Sequence, residues 1–151
     1  MSHINIQRSR IPILINQLGY AGLIPFVTLA LALWMLPSNY FDQLHQALLS
    51  YAAIILSFMG AIHWGLAMAE FNTVNRFQLG ISVVPALAAW FASLLTPMWN
   101  YSILIVAFVS LCLLDSYMVK NHNAPEWYPL LRIPLTVVVI ISLIVAEISL
   151  L

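Results

Sequence analysis

The chain has 151 residues, 63% of them hydrophobic and 7% charged, with five Lys plus Arg balanced by five Asp plus Glu. Soluble globular chains carry roughly 25% charged residues, so this one lacks the polar surface that a water-facing shell demands. Zero formal net charge with scattered cations also excludes a basic face for nucleic acid.

A helix crossing a hydrocarbon core about 30 Å thick needs about 20 apolar residues, and a helical bundle in lipid needs polarity only at its ends. Five such runs follow one another, predicting an all-α integral membrane bundle of five transmembrane helices over 17-151 behind a cytoplasmic amino-terminal segment, 1-16. The first span covers about 18-36; the opening MSHINIQRSR is too polar for a signal peptide, so this span is expected to be retained. The second covers 44-69 after the breaker LPSNYFD, and the third covers 79-95 after FNTVNRF. The fourth, 101-119, follows TPMWN, and the fifth, 133-150, follows KNHNAPEWYP. Short joints favour antiparallel neighbours. No sequence repeat is read in these runs. Pro25, Pro85 and Pro134 interrupt the first, third and fifth spans and free backbone carbonyls.

Threading the spans from a cytoplasmic amino terminus gathers Arg8, Arg10, Arg76, Lys120 and Arg132 on one side and leaves the other without Lys or Arg. That is the positive-inside pattern, and it sends the carboxyl terminus across the membrane. Trp34, Trp99, Trp127, Tyr40, Tyr101 and Tyr128 fall near span ends, where aromatic rings anchor at the interface. Glu147, close to the last span's end, is expected among headgroups, and Cys112 is read as a packing residue.

The stretch SFMGAIHWGLAMAE (57 to 70) sets His63 about 10 Å inside the end marked by Glu70. Asp115 lies roughly 7 to 8 Å inside the same end, five residues before Lys120. Ionisable groups at such depth usually turn inward and seek partners, so these two could share a layer, with Asp115 reading either as an interior partner or as a helix-end residue reaching for water. Glu70, Arg76, Tyr117, His122 and Arg132 are the other polar candidates at that face. Ala53, Ser57 and Gly60 form a small-residue stripe continuing into Trp64 and Ala67, with His63 one position round from it. Gly60 and Gly65 leave room beside Trp64. His63 reads either as a tie between helices or as a binding or proton-handling group. No His or Cys stands at i+3 or i+4 from it, and His45 falls near the opposite face, so neither a metal site nor a cofactor is expected.

LGYAGLIPF (18 to 26), YAAIILSFMGAIHWGLA (51 to 67), SVVPALAAW (82 to 90), LLDSYM (113 to 118) and APEWYPLLRIPLTVVVIISL (124 to 143) together resemble a domain-of-unknown-function family. It comprises small bacterial inner-membrane proteins and includes an animal mitochondrial transmembrane protein. The resemblance covers about 16 to 146, with GAIHWG its most specific part. It implies a five-helix membrane domain in a bacterial inner membrane and draws attention to His63, Trp64, Pro85 and Asp115, without a substrate. In architecture alone the chain is also similar to the tryptophan-rich sensory proteins, five-helix proteins that bind porphyrins and sterols.

Two functions follow as expectations. One is a non-enzymatic module that binds a hydrophobic small molecule or a partner membrane protein, with Gly60, His63, Trp64, Pro85 and Asp115 as candidate contacts and a homo-oligomer as one form. The alternative is a small proton-coupled transporter using His63 and Asp115. An enzyme is not expected, because the chain shows no nucleophile and base pair, no metal set and no nucleotide loop.

Overall fold

Proline chemistry sets where two of the helices break. A proline has no N–H, and its ring crowds the carbonyl four residues back. For Pro25 that residue is Ala21, where helix α1 (Ile13–Ala21) ends; α2 (Ile24–Met35) restarts with Pro25 in its first turn. For Pro85 it is Ile81, the last residue of α4 (Arg76–Ile81), and α5 (Val84–Ser93) restarts in the same way. The remaining helices are α3 (Phe41–Ala69), α6 (Pro97–Lys120) and α7 (Tyr128–Ile148). Pro134 lies inside α7 without ending it. This computed structural model describes residues 11–69, 76–120 and 127–151, and among them there is no strand.

Four stretches, Ile13–Met35, Ser38–Met68, Trp99–Lys120 and Tyr128–Ile148, are each long and apolar enough to cross a membrane. The third expected span differs, because the Pro85 break divides it into α4 and α5. End to end these two cover 76–93, about 27 Å at 1.5 Å per residue, close to one hydrocarbon thickness.

The breaks also expose a repeat, correcting the reading that there is none. Gln17-Leu18-Gly19 precedes the first break and Gln78-Leu79-Gly80 the second; Asn39-Tyr40 and Asn100-Tyr101 then stand at the starts of the two long helices. After each break the helix resumes with equivalent bonds, Val27 N–H to Leu23 O at 3.1 Å and Leu87 N–H to Val83 O at 3.2 Å. The two halves run in the same direction, since side-chain pairs link His45 with Tyr101 and His63 with Asp115 along α3 and α6. Helix α7 has no counterpart. It packs between α6 and α2, closing a ring α2–α3–α5–α6–α7 in which α3 also touches α6.

Helix α3 is the member of this ring that also reaches across to α6, and its buried line is Ala52, Leu56, Gly60, His63 and Ala67, spaced as one helical face. The stripe drawn through Ser57 and Trp64 is therefore displaced by one position, and His63 itself is on the buried face. A Cβ on Gly60 would lie 2.6 Å from the Ser82 carbonyl oxygen and 3.0 Å from Pro85 Cγ. Only glycine lets α3 lie directly against the second break. The first break is held from the same helix, by the Tyr51 hydroxyl donating to Gly22 O at 2.9 Å. Between these points the core is apolar, with Phe26 edge-on to Phe108 at 6.3 Å beside Leu104 and Leu143.

Helix directions put Arg76, Lys120, His63 and Asp115 toward one end, and Asp42, His45 and Glu147 toward the other. Three sequence expectations change here. Arg132 is not a loop cation: α7 begins a turn earlier than expected, and Arg132 is 4% exposed inside the bundle. Tyr101 is fully buried rather than interfacial. Tyr128 turns its hydroxyl into the protein, whereas Trp34 remains outside and donates to Val145 O at 3.2 Å.

Candidate functional site

Three helices each contribute one ionisable side chain to a single point: α3 supplies His63, α6 Asp115 and α7 Arg132. The Asp115 carboxylate accepts one donor on each oxygen, His63 Nε2–H on Oδ1 at 2.7 Å and Arg132 Nε–H on Oδ2 at 2.5 Å. Arg132 also points Nη1 at the Met59 sulfur, 2.7 Å away. All three ionisable side chains are buried. A lone carboxylate or guanidinium in such surroundings would be very costly, and mutual pairing makes both tolerable. With the imidazole neutral, the triad carries no net charge.

The pairing leaves several buried polar atoms without a partner: His63 Nδ1, Arg132 Nη2, Tyr128 OH and Thr136 Oγ1. The last three residues recur every fourth position along α7 and so share one face, with adjacent members about 6 Å apart along the axis. That face lines a cavity of about 310 Å³ whose other walls include Leu18, Gly22 and Phe26 from the broken first span, Met59 and Ile62 from α3, and Phe108 from α6. On the first-span side α1 approaches α7 closely at Gly19, where a Cβ would sit 3.0 Å from Leu135 Cδ1. Sequence reasoning took Tyr128 for an interface anchor and passed over Thr136; the four-residue spacing of Tyr128, Arg132 and Thr136 was the available signal.

The other sequence candidates disperse. Gly60 and Pro85 meet each other at the α3 contact with the second break and are not among the residues that line this cavity. Trp64 is on the outside of α3, where its Nε1–H donates to the Met68 sulfur at 2.8 Å. Tyr117 and Pro85 line an open apolar groove between α5 and α6. Arg76 is exposed at the start of α4. Glu70 and His122 lie outside the described residues.

A second polar cluster occupies the far end. His45 is buried, with Nδ1 2.7 Å from the Tyr101 hydroxyl and Nε2 3.4 Å from Ser149 Oγ. Nearby, Ser102 donates to Glu147 at 2.7 Å. His45 and His63 are 18 residues apart on α3, about 27 Å, and Leu48, Leu49, Ala52 and Leu56 are buried between them. Among the described residues no group of three His, Cys, Asp or Glu side chains is placed to hold a metal ion.

Together these features define a multi-span α-helical membrane protein in which a buried histidine and a buried arginine meet on one carboxylate. A family described as "Protein of unknown function (DUF3429)" matches residues 11–148, and the chain belongs to that family. It is 35% identical over 131 residues to "Transmembrane protein 69" of Xenopus tropicalis, covering 84% of this chain and 51% of that protein. With "Transmembrane protein 69" of Mus musculus it shares 31% identity over 128 residues, 83% of this chain and 51% of the relative. The chain thus spans about half the length of these curated relatives. No solved structure matches, so the architectural likeness to the tryptophan-rich sensory proteins gains no support.

Proposed function

We propose that this chain is a non-enzymatic membrane module that takes a hydrophobic small molecule into the cavity beside the α1–α2 break. The observation that carries this reading is a cavity of about 310 Å³, apolar on most sides, into which one face of α7 brings a buried Arg132. Ligand sites are typically concave and mostly apolar with a few placed polar groups, and this volume is at the small end of their range. Cavity-lining residues such as Leu18 and Phe58 are exposed on the bundle's outer face, so an apolar molecule would reach the site from the lipid. His63 and Asp115 then act by holding Arg132 in place. A partner membrane protein, or a second copy of this chain, is the other form this reading takes.

The membrane is taken to be a bacterial inner membrane with the Arg76 and Lys120 end in the cytoplasm. Support comes from the cation distribution, since Lys and Arg resist translocation. A proton-coupled transporter using His63 and Asp115 is the weaker reading, because Leu48, Leu49, Ala52 and Leu56 make the buried face of α3 apolar between His63 and His45.

The test is native mass spectrometry of protein in lipid nanodiscs, comparing wild type with Ile62→Trp, which fills the cavity, at matched helicity. A discrete small molecule held by wild type and lost in the variant is expected. Identical lipids on both, and nothing else, would overturn the reading; a co-purifying protein retained by both would move it to partner binding.

A further inference from the structure

We infer that a second cavity, at the far end of the bundle between α3, α5 and α6, is a separate binding site that takes an ammonium group carried on a short apolar stem. The inference is independent of the first cavity and its occupant.

This second cavity has a volume of about 420 Å³, within the range of small-molecule sites. One face of α3 forms its long wall, with Asp42, Gln46, Leu49 and Ala53 at successive spacings of four, three and four. Ser93 at the end of α5 and Asn100 in the first turn of α6 stand among the other walls.

Charge selects the sign of the occupant. Asp42 puts an exposed carboxylate on the wall, and Glu147 is at the same end. Among the described residues Arg76 and Lys120 mark the opposite end, and Arg132 is engaged with Asp115. A cation therefore meets a negative charge that no neighbouring cation offsets, and an anion is repelled. Hydrogen bonding selects the kind of cation. Asn100 is 7% exposed, yet among the described residues its carboxamide has no hydrogen-bond partner, and the direction left open to it is the cavity it lines. So buried a polar side chain is normally satisfied. Gln46 and Ser50 line the cavity as well and are likewise unpartnered among the described residues. An ammonium brings three N–H donors and no acceptor, and a carboxylate, two carboxamide oxygens and a hydroxyl can receive them. His45 is a wall rather than a contact, since its ring nitrogens already face Tyr101 and Ser149. The apolar part of the lining, Leu49, Ala53, Leu95 and Leu150, selects an organic cation. A hydrated metal ion or water gains nothing from those side chains, whereas an alkyl stem is buried against them.

A free amine and the ethanolamine headgroup of a phospholipid share this chemistry, and the experiment separates them. Protein in neutral maltoside micelles, which carry no ammonium, is titrated by calorimetry with butylammonium, butanol, butyrate and a lysophosphatidylethanolamine. At least one ammonium probe is expected to bind tenfold or more tightly than butanol, with butyrate weakest. Asp42→Asn removes the charge at nearly constant shape from an exposed position, and it is expected to weaken that ammonium probe about tenfold or more, as befits a charged hydrogen bond. A loss seen with butylammonium assigns a free amine; a loss confined to the lysolipid assigns the headgroup. Asn100→Leu is expected to weaken the same probe roughly three- to tenfold. Butanol binding as tightly as both ammonium probes, tightest binding by butyrate, binding of neither ammonium probe, or indifference to Asp42→Asn at matched helicity would each overturn the inference and leave a water-filled vestibule. None of these outcomes bears on the first cavity.

Discussion

Removing the Asp115 carboxylate should be among the most damaging single changes to this bundle, and removing its partner as well should undo most of the damage. In Asp115→Leu, Arg132 keeps its charge at 4% exposure and loses the carboxylate that its Nε contacts at 2.5 Å. Breaking a buried pair from one side costs about 3–5 kcal/mol, since the surviving charge is left uncompensated. Arg132→Met strands Asp115 with His63 alone, at a similar cost. In the double variant no net charge remains buried, and the loss reduces to the His63 hydrogen bond, worth about 0.6–1.7 kcal/mol inside a membrane protein, plus modest repacking. The single changes should therefore sum to about 6–10 kcal/mol and the double change to about 1–3. Equilibrium unfolding in mixed micelles, followed by helicity across the four-member cycle, measures this. A double variant whose cost equals the sum of the singles, or an Asp115→Leu costing under about 1 kcal/mol, would refute the reasoning.

Three other outcomes follow. Gly60→Ala places a methyl 2.6 Å from the Ser82 carbonyl oxygen and should cost about 1–3 kcal/mol as overpacking, whereas Gly65→Ala, with nothing within 4 Å, should be neutral or stabilising by up to about 1 kcal/mol through helix propensity; the same micelle unfolding compares them. Tyr101→Phe should lose about 0.6–1.7 kcal/mol with the His45 contact, and a His45→Phe background should abolish that loss. A phosphatase active only outside the cytoplasm, fused after Leu151, should be active in bacterial cells, and the same enzyme fused after Lys120 should be inactive; the reverse would invert the orientation.

The helical bundle was legible because its signal is compositional: runs near 20 apolar residues admit one structure in lipid. The layer shared by His63 and Asp115 was legible for a related reason, since depth along a helix follows from counting residues from its end. Rotation about the helix axis was harder to read. A one-position error moved Trp64 inward and His63 aside, because small and large apolar residues surround α3 and no clean polar face marks its outside. Arg132 was hidden by its neighbours. A cation beside KNHNAPEWYP looks like loop until α7 is known to begin at Tyr128, one turn earlier. The repeat escaped because similar runs of oil conceal the few residues that carry it: Gln17-Leu18-Gly19 with Pro25, and Gln78-Leu79-Gly80 with Pro85.

Occupancy of the cavity in a living membrane is tested most directly by a photoreactive phenylalanine analogue. It is placed at Leu135, which lines the cavity and is buried, and for comparison at Val106, which faces outward on α6. After irradiation of intact membranes, mass spectrometry should find one discrete small-molecule adduct at position 135 and a spread of ordinary phospholipids at position 106. The same phospholipid spread at both positions would contradict a ligand site beside the α1–α2 break and leave Asp115, His63 and Arg132 as a structural tie alone.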